Sequence, residues 1–328
     1  KTLPGVYGAS SPRMNVADLR TKGWEASITW GDSFTLASKP FNYRVMAGIG
    51  DNTSKVTKYD NPNRTLTDPY EGQQLGEIWG YVVDGYFKTD EEARNYKVDQ
   101  SFVNQMINAS ALDNGLHAGD LKFVDLDGNN KIEQTTSAND RKDMKVIGNS
   151  LPRYNYNFGI SADWYGIDFS VLFQGIGKQN WYPGAETSMF WGPYSRPYAS
   201  FIPSDFMSQV WSEENTDAYF PRPRGYVALG SNRELAVVNT KYLQNLAYCR
   251  LKNLSIGYTL PDKWLSKIGF EKIRVYFSGE NLLTFTKLHS DYIDPEQASA
   301  SNSWKTSKSD ANIYPWAKTY SFGVDITF

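Results

Sequence analysis

The chain has 328 residues and a formal charge of −2, so it carries no basic field of the kind that holds nucleic acid. Aromatic residues make up 15% of it, with 22 Tyr, 17 Phe and 10 Trp, an excess that suits strands and wet interfaces better than helix cores. No apolar run approaches the roughly 18 residues of a membrane-spanning helix, the single cysteine, Cys249, rules out an internal disulfide, and His117 and His289 give no metal-ligand spacing.

The chain opens on Lys1-Thr2-Leu3-Pro4-Gly5 with no start methionine, which reads as a mature segment or a fragment. Period-two alternation then predicts a series of strands. Trp24, Ala26, Ile28 and Trp30 oppose Glu25, Ser27 and Thr29; Phe41, Tyr43, Val45, Ala47 and Ile49 oppose Asn42, Arg44 and Met46. Tyr154, Tyr156, Phe158, Ile160, Ala162 and Trp164 oppose Asn155, Asn157, Gly159, Ser161 and Asp163. Ile167, Phe169, Val171 and Phe173 follow, against Asp168, Ser170 and Gln174. Two looser strands span 242–260, with Leu254, Ile256 and Tyr258 in phase, and 272–286, with Ile273, Val275 and Phe277. In the last segment Lys318, Tyr320, Phe322, Val324, Ile326 and Phe328 share one face, and Thr319, Ser321, Gly323, Asp325 and Thr327 the other.

A soluble sandwich also alternates. Two features favour a transmembrane antiparallel barrel segment, an all-β fold. Trp24, Trp30, Tyr154, Trp164, Tyr258, Tyr320 and Phe328 sit near strand ends on the apolar face, as interfacial girdles require. The connections also alternate strictly: short near 32–40, 165–166 and 261–271, long near 51–152, 176–241 and 287–316. Tight turns on one side of a membrane and long loops on the other produce that asymmetry. With the C-terminus in the periplasm, all three long loops are extracellular. Seven strands is an odd count, whereas single-chain bacterial barrels are even, so the rest of the barrel is expected upstream.

Several segments carry a family likeness. They are Gly119-Asp120-Leu121-Lys122-Phe123-Val124-Asp125-Leu126-Asp127-Gly128-Asn129, Val146-Ile147-Gly148-Asn149-Ser150-Leu151-Pro152-Arg153-Tyr154, Leu251-Lys252-Asn253-Leu254-Ser255-Ile256-Gly257-Tyr258, and Arg274-Val275-Tyr276-Phe277-Ser278-Gly279-Glu280-Asn281. Together with Leu19-Arg20-Thr21-Lys22-Gly23-Trp24 and Gly80-Tyr81-Val82-Val83-Asp84-Gly85, they resemble the C-terminal barrel region of SusC/RagA-type TonB-dependent transporters of Bacteroidota, from about Leu3 to Phe328. The resemblance implies a large outer-membrane barrel plugged by an N-terminal domain, which would lie upstream with the earlier strands. It also implies a SusD-like surface lipoprotein as lid, oligosaccharides or peptides as cargo, import driven by the TonB system, and no required cofactor. An aromatic C-terminus on an alternating strand, here Tyr320, Phe322 and Phe328, is what the barrel-assembly machinery of Gram-negative bacteria favours.

Candidate sites are of three kinds. Asp125, Asp127 and Asn129 place side-chain oxygens at positions one, three and five, with the carbonyl of Lys131 and the apolar Ile132 following, as in the first half of an EF-hand loop. Asn130 stands where that loop carries glycine, and Asp140 or Asp143 would supply the closing carboxylate; the loop then takes a structural Ca²⁺ or is an Asx-turn without metal. Trp181, Tyr182, Phe190, Trp191, Tyr194 and Tyr198 crowd one long loop, either to contact substrate or lid or to pack on each other. Glu25, Arg44, Asn155, Asn157, Asp163, Asp168, Gln174 and Asp325 are expected to face the lumen.

Thr89 and Glu92 form a capping box ahead of a short helix, which accounts for the acidic run Asp90-Glu91-Glu92. Ser150 lacks the second glycine of a nucleophile elbow and Cys249 has no neighbouring His in sequence, so catalysis has no support. A secreted carbohydrate-binding or adhesin module is the alternative from another class.

Overall fold

A computed structural model describes residues 15–104, 115–195, 201–230, 233–265, 269–298, 308–309 and 314–328. The chain is all-β. Its main sheet has seven strands: β1 (Ala17–Leu36), β2 (Lys39–Tyr59), β3 (Arg153–Trp164), β4 (Ile167–Lys178), β5 (Tyr248–Thr259), β6 (Lys272–Thr286) and β7 (Thr319–Thr327). Each pairs antiparallel with the next in chain order, so the sheet is a plain meander with β1 and β7 at its edges. Among the described residues no helix is long and apolar enough to cross a membrane, which leaves the strand reading untouched.

The tight turns come from backbone that residues other than glycine rarely adopt. Ala37 and Ser38 take φ of 50° and 63°, and Tyr165 and Gly166 take 51° and 84°. Paired left-handed residues give the type I′ twist that matches two right-twisted strands. The third short connection carries a one-turn helix, Asp262–Leu265. On the opposite rim β2 continues to Tyr59, beyond the expected loop boundary at 51. A returning segment holds that extension: Leu75 N–H donates to Ser54, and Val56 N–H to Gln73, each at 2.9 Å.

The register fixes two faces. One lateral row reads Ser33, Asn42, Asp163, Asp168, Gly257, Tyr276, Gly323 across all seven strands, and another reads Ile28, Ala47, Phe158, Phe173, Leu251, Leu283 across six. Most of the second row and its neighbours stay uncovered by the chain, Ile28 being 66% exposed, Ile160 45% and Phe322 84%, whereas Leu251 in that row is buried. So large and regular an apolar face belongs against hydrocarbon. Because side chains alternate with period two, the same strands must put their polar set on the other side.

The long connections are not open loops. Segments 77–123, 181–246 and 288–293 contribute Tyr81, Phe123, Trp181, Trp191, Phe220, Tyr242 and Ile293 to one continuous buried cluster. The chain therefore has two hydrophobic systems, a lipid-type face on the wall and a conventional core in the loop body. The Thr89 cap forms as expected, with Glu92 N–H donating to Thr89 Oγ1 at 3.1 Å, while the Glu92 carboxylate accepts the N–H of Lys88 at 2.8 Å, one residue ahead of the cap.

Ile160→Arg on the apolar face is expected to destabilise the folded protein in liposomes by about 2–4 kcal/mol if that position lies at mid-bilayer. Asn157→Arg, three residues away on the polar face, should cost far less. Denaturant titration read by heat-modifiable gel migration checks both, and equal costs would contradict the assignment of faces.

Candidate functional site

The polar face of the wall is the first candidate surface. Glu25, Arg44, Asn155, Asn157, Asp163, Asp168 and Gln174 all lie on the side away from the apolar rows, through the pairs Glu25–Gly50–Asn155, Gly31–Arg44–Ser161 and Gly48–Asn157–Gln174. Glu25, Asn155, Asn157 and Gln174 border one groove of about 1020 Å³ along β1 to β4. Asp163 and Asp168 are directly opposed in neighbouring strands, a like-charge pair that needs relief. Asn42 Nδ2 donates to Asp163 at 2.7 Å, and the Arg274 guanidinium grips Asp168 through Nη2 at 2.6 Å and Nε at 2.9 Å, reaching Asp325 at 3.2 Å. Gly257 lies beneath that fork; a Cβ there would stand 2.6 Å from Arg274 Nε. The place of Arg274 could have been read from its phase, since it alternates with Ile273 and Val275.

The loop aromatics do not form a contact surface. Trp181, Tyr182 and Trp191 are fully buried and Tyr194 nearly so. Trp191 packs on Phe190 with ring centres 4.8 Å apart and on Tyr242 at 5.2 Å, while Tyr194 stacks on Phe220 at 5.8 Å. Their polar ends are satisfied internally: Trp191 Nε1 donates to the Gly184 carbonyl at 2.9 Å, Tyr182 Oη to Leu235 at 2.8 Å, and Tyr194 Oη to Pro221 at 2.6 Å. This corrects the expectation of substrate or partner contact for these four rings. Each buries a large apolar area while its one polar atom keeps a partner, so outward exposure would forfeit both. Tyr198 lies outside the described residues.

Beneath these rings sits a buried ion network with no counterpart in the sequence reading. Asp120, inside the first long connection, receives Arg222 Nε at 2.5 Å and Arg224 Nη2, and Arg224 Nε lies 2.9 Å from Glu234. Asp120 and Glu234 are wholly buried, and burial pushes the Glu234 carboxyl up against the pull of Arg224. Asp120 lies more than one hundred residues from both arginines, at a position no spacing rule connects to them.

The acidic loop assembles as an Asx-rich turn. Asp125 accepts the N–H groups of Gly128 and Asn130, each at 2.7 Å, Asp127 accepts that of Asn129, and Asn129 Oδ1 accepts that of Lys131 at 2.7 Å. Asn130 adopts φ 61°, filling the left-handed position of the missing glycine. Ligand atoms of Asp125, Asp127 and Asp143 lie within 4.8 Å of one another. Asp143 rather than Asp140 closes the group; Asp140 pairs with Ser137 in a separate turn, which corrects its place among the candidate ligands. Asp143 is fully buried and accepts Leu126 N–H at 2.8 Å and Glu133 N–H at 2.7 Å. Burial raises its carboxyl above the usual range, and the Asp127 and Asp125 charges add to this. Glu133, not singled out from sequence, lies beside the group, its carboxylate accepting Asn129 Nδ2 at 3.1 Å and pairing with Lys142 at 3.2 Å.

No protein-family model matches the chain. It is 27% identical over 347 residues to TonB-dependent receptor P3 of Formosa agariphila, covering all of this chain and 30% of that protein. It is 25% identical to TonB-dependent receptor P39 of the same organism, covering 99% of this chain and 32% of the receptor. Among solved structures it aligns over its whole length with 31% of a chain of the RagAB peptide importer in the open-open state, at a TM-score of 0.65 and 19% identity. A second structure of the RagAB peptide transporter gives 0.64 and 18%. The chain thus spans about a third of the length of the relatives it matches. The two-faced meander and these full-length likenesses define the class, an outer-membrane β-barrel wall. More narrowly, the chain resembles over its whole length a part of the TonB-dependent receptors, proteins of the Gram-negative outer membrane, and shares its fold with a part of the RagAB structures.

Asp143→Asn leaves one of two backbone N–H groups facing an amide NH₂ instead of an oxygen, at a local cost of about 1–3 kcal/mol. Hydrogen exchange on the full-length protein should show lost protection at Leu126 or Glu133, with Asp140→Asn unchanged there. Equal effects of the two substitutions would contradict the placement of Asp143.

Proposed function

We propose that this chain supplies wall, pore lining and extracellular cap to a TonB-driven importer of oligosaccharides or peptides. The observation that carries the reading is the division of the sheet into an uncovered apolar face and a charged, hydrogen-bonded face. A wall that touches lipid on one side and a wet passage on the other needs that division along its whole width. Glu25, Arg44, Asn155, Asn157, Asp163, Asp168 and Gln174 then line the passage or meet the plug. Segments 51–152, 176–241 and 287–316 form the extracellular side, and their shared core gives a SusD-like lipoprotein a preshaped surface to cover. Peptide is the cargo named for RagAB, and it stays beside glycan as a candidate for this chain. Tyr320, Phe322 and Phe328 serve the barrel-assembly machinery as its C-terminal signal. The role is transport without catalysis, in keeping with relatives named as receptors.

The acidic loop would hold a Ca²⁺ that braces the cap. A divalent cation there offsets the repulsion among Asp125, Asp127 and Asp143 and the burial of Asp143. An acid whose pKa rises on folding favours the folded state at low pH and opposes it as pH climbs through the raised value. Ca²⁺ therefore competes with a proton on Asp143, and affinity should fall as pH is lowered. Calorimetry on chelator-treated full-length transporter, with Asp127→Asn as comparison, checks this; no heat at millimolar Ca²⁺ would count against it.

For the whole reading, cells carrying the full-length gene should take up a labelled oligosaccharide or peptide mixture, and lose that uptake when TonB is deleted. Affinity purification in mild detergent should retain one surface lipoprotein. Uptake indifferent to TonB, or a full-length protein soluble in plain buffer, would overturn the reading in favour of a secreted binding module.

A further inference from the structure

On its long-loop side the apolar face of the wall ends in bare positive charge. One face of β1 carries Phe34, Trp30, Ile28 and Trp24, then Lys22 and Arg20, all exposed and in unbroken register with β2 from Leu36 back to Leu19. Trp24 to Phe34 is about 33 Å of strand. At a tilt near 40° that is about 25 Å of bilayer, the height of the apolar band in such barrels. On the same tilt Lys22 and Arg20 stand about 5 and 10 Å beyond the band, within reach of headgroups for side chains of that length.

The charge is local and unrelieved. Arg20 and Lys55 are directly opposed in β1 and β2, and Lys22 stands on the same face opposite the neutral Thr53. Like charges so placed repel, their Cβ atoms about 5 Å apart. The carboxylates nearby are taken: Asp51, opposite Trp24, is gripped by Arg153 Nε and Nη2 at 2.5 Å, and Asp18 lies beyond a bulge opposite Lys58. On the far side of β2 the neutral Gln74 pairs with Lys55. Residues 1–16, which lead into β1, contain no acid. Among the described residues none of the three cations has a carboxylate partner. Other crowded charges are relieved from within the chain. Asn42 and Arg274 meet Asp163 and Asp168, and Arg250, at the same rim, pairs with Asp294 at 2.7 Å and Glu296 at 2.6 Å. At Arg20 and Lys55 the described chain supplies no anion, so the relief is left to an external one.

We infer that Arg20, Lys22 and Lys55 form a docking site for the phosphate of an anionic lipid in the leaflet on the long-loop side. The acyl chains lie along the face from Trp24 to Phe34, Trp24 marks the boundary, and the phosphate joins the opposed pair Arg20 and Lys55, with Lys22 nearer the membrane. A face that passes from apolar residues through an aromatic ring into cations matches a lipid molecule from chain to headgroup. Neither a soluble anion nor an acidic protein has that order. Which leaflet this is rests on the importer reading, but binding itself requires neither TonB nor transport.

The test purifies the full-length protein in a neutral detergent and adds bisphosphorylated lipid A, the same lipid dephosphorylated, inorganic phosphate or an acidic peptide. Native mass spectrometry counts what is retained. The phosphorylated lipid should be held at least about tenfold more tightly than the dephosphorylated one. Arg20→Gln, Lys22→Gln and Lys55→Gln should each weaken its retention about fivefold, and Arg20→Lys, which keeps the charge, less than about twofold. Lys97→Gln, which removes an exposed cation of the first long connection, should retain lipid as wild type. Unchanged heat-modifiable migration shows that each variant folds. The docking site is overturned if the three Gln variants retain lipid as wild type, if both lipid forms are held alike, or if equimolar phosphate or acidic peptide displaces the lipid. It is also overturned if no lipid is retained, as carboxylates from elsewhere in the full-length protein would cause. TonB-dependent uptake beside unaltered lipid retention in the Gln variants sinks the docking site and leaves import standing; retention lost in those variants of a protein without such uptake does the reverse.

Discussion

Everything in this chain follows from the need to satisfy backbone hydrogen bonds in hydrocarbon by pairing each strand with its neighbours. In water an unpaired N–H or C=O finds solvent, but in a bilayer each one costs several kcal/mol. The meander meets that demand for the inner strands through continuous antiparallel pairing from β1 to β7. Pairing in turn fixes register, and register fixes faces, because a one-residue slip would carry Asp163 and Asp168 to the apolar face and Ile160 to the polar one. The left-handed turn residues Ala37, Ser38, Tyr165 and Gly166 lock that register at the tight end.

The polar face is organised by the same pairing. Opposed carboxylates at Asp163 and Asp168 would repel, and the structure answers with one amide and one arginine drawn from strands on either side. Arg274 reaches Asp168 only because Gly257 leaves the intervening position bare. Such bracing keeps those charges fixed along the polar face.

Above the wall the chain changes its physics. The loop body is an ordinary water-soluble core, with rings packed edge to face and an arginine–carboxylate network at its base. Three connections separated by whole hairpins meet there, so the strands they join are tied at the rim as well as along their length.

Strand number, face and order were legible in the sequence, because period-two alternation survives whatever the neighbours are: Phe322, Val324 and Ile326 point to one side of any strand they form. The acidic loop was legible too, down to the left-handed backbone of Asn130, since its chemistry lies within a dozen residues. What the sequence could not decide was which side a loop aromatic faces. Trp181, Tyr182, Trp191 and Tyr194 have the composition of a contact surface and the burial of a core, and no local pattern distinguishes the two. Nor could it pair Asp120 with Arg224, Arg250 with Asp294, or Asp143 rather than Asp140 with Asp125. Those choices depend on which segments the meander brings to one rim, and only the tertiary structure sets that.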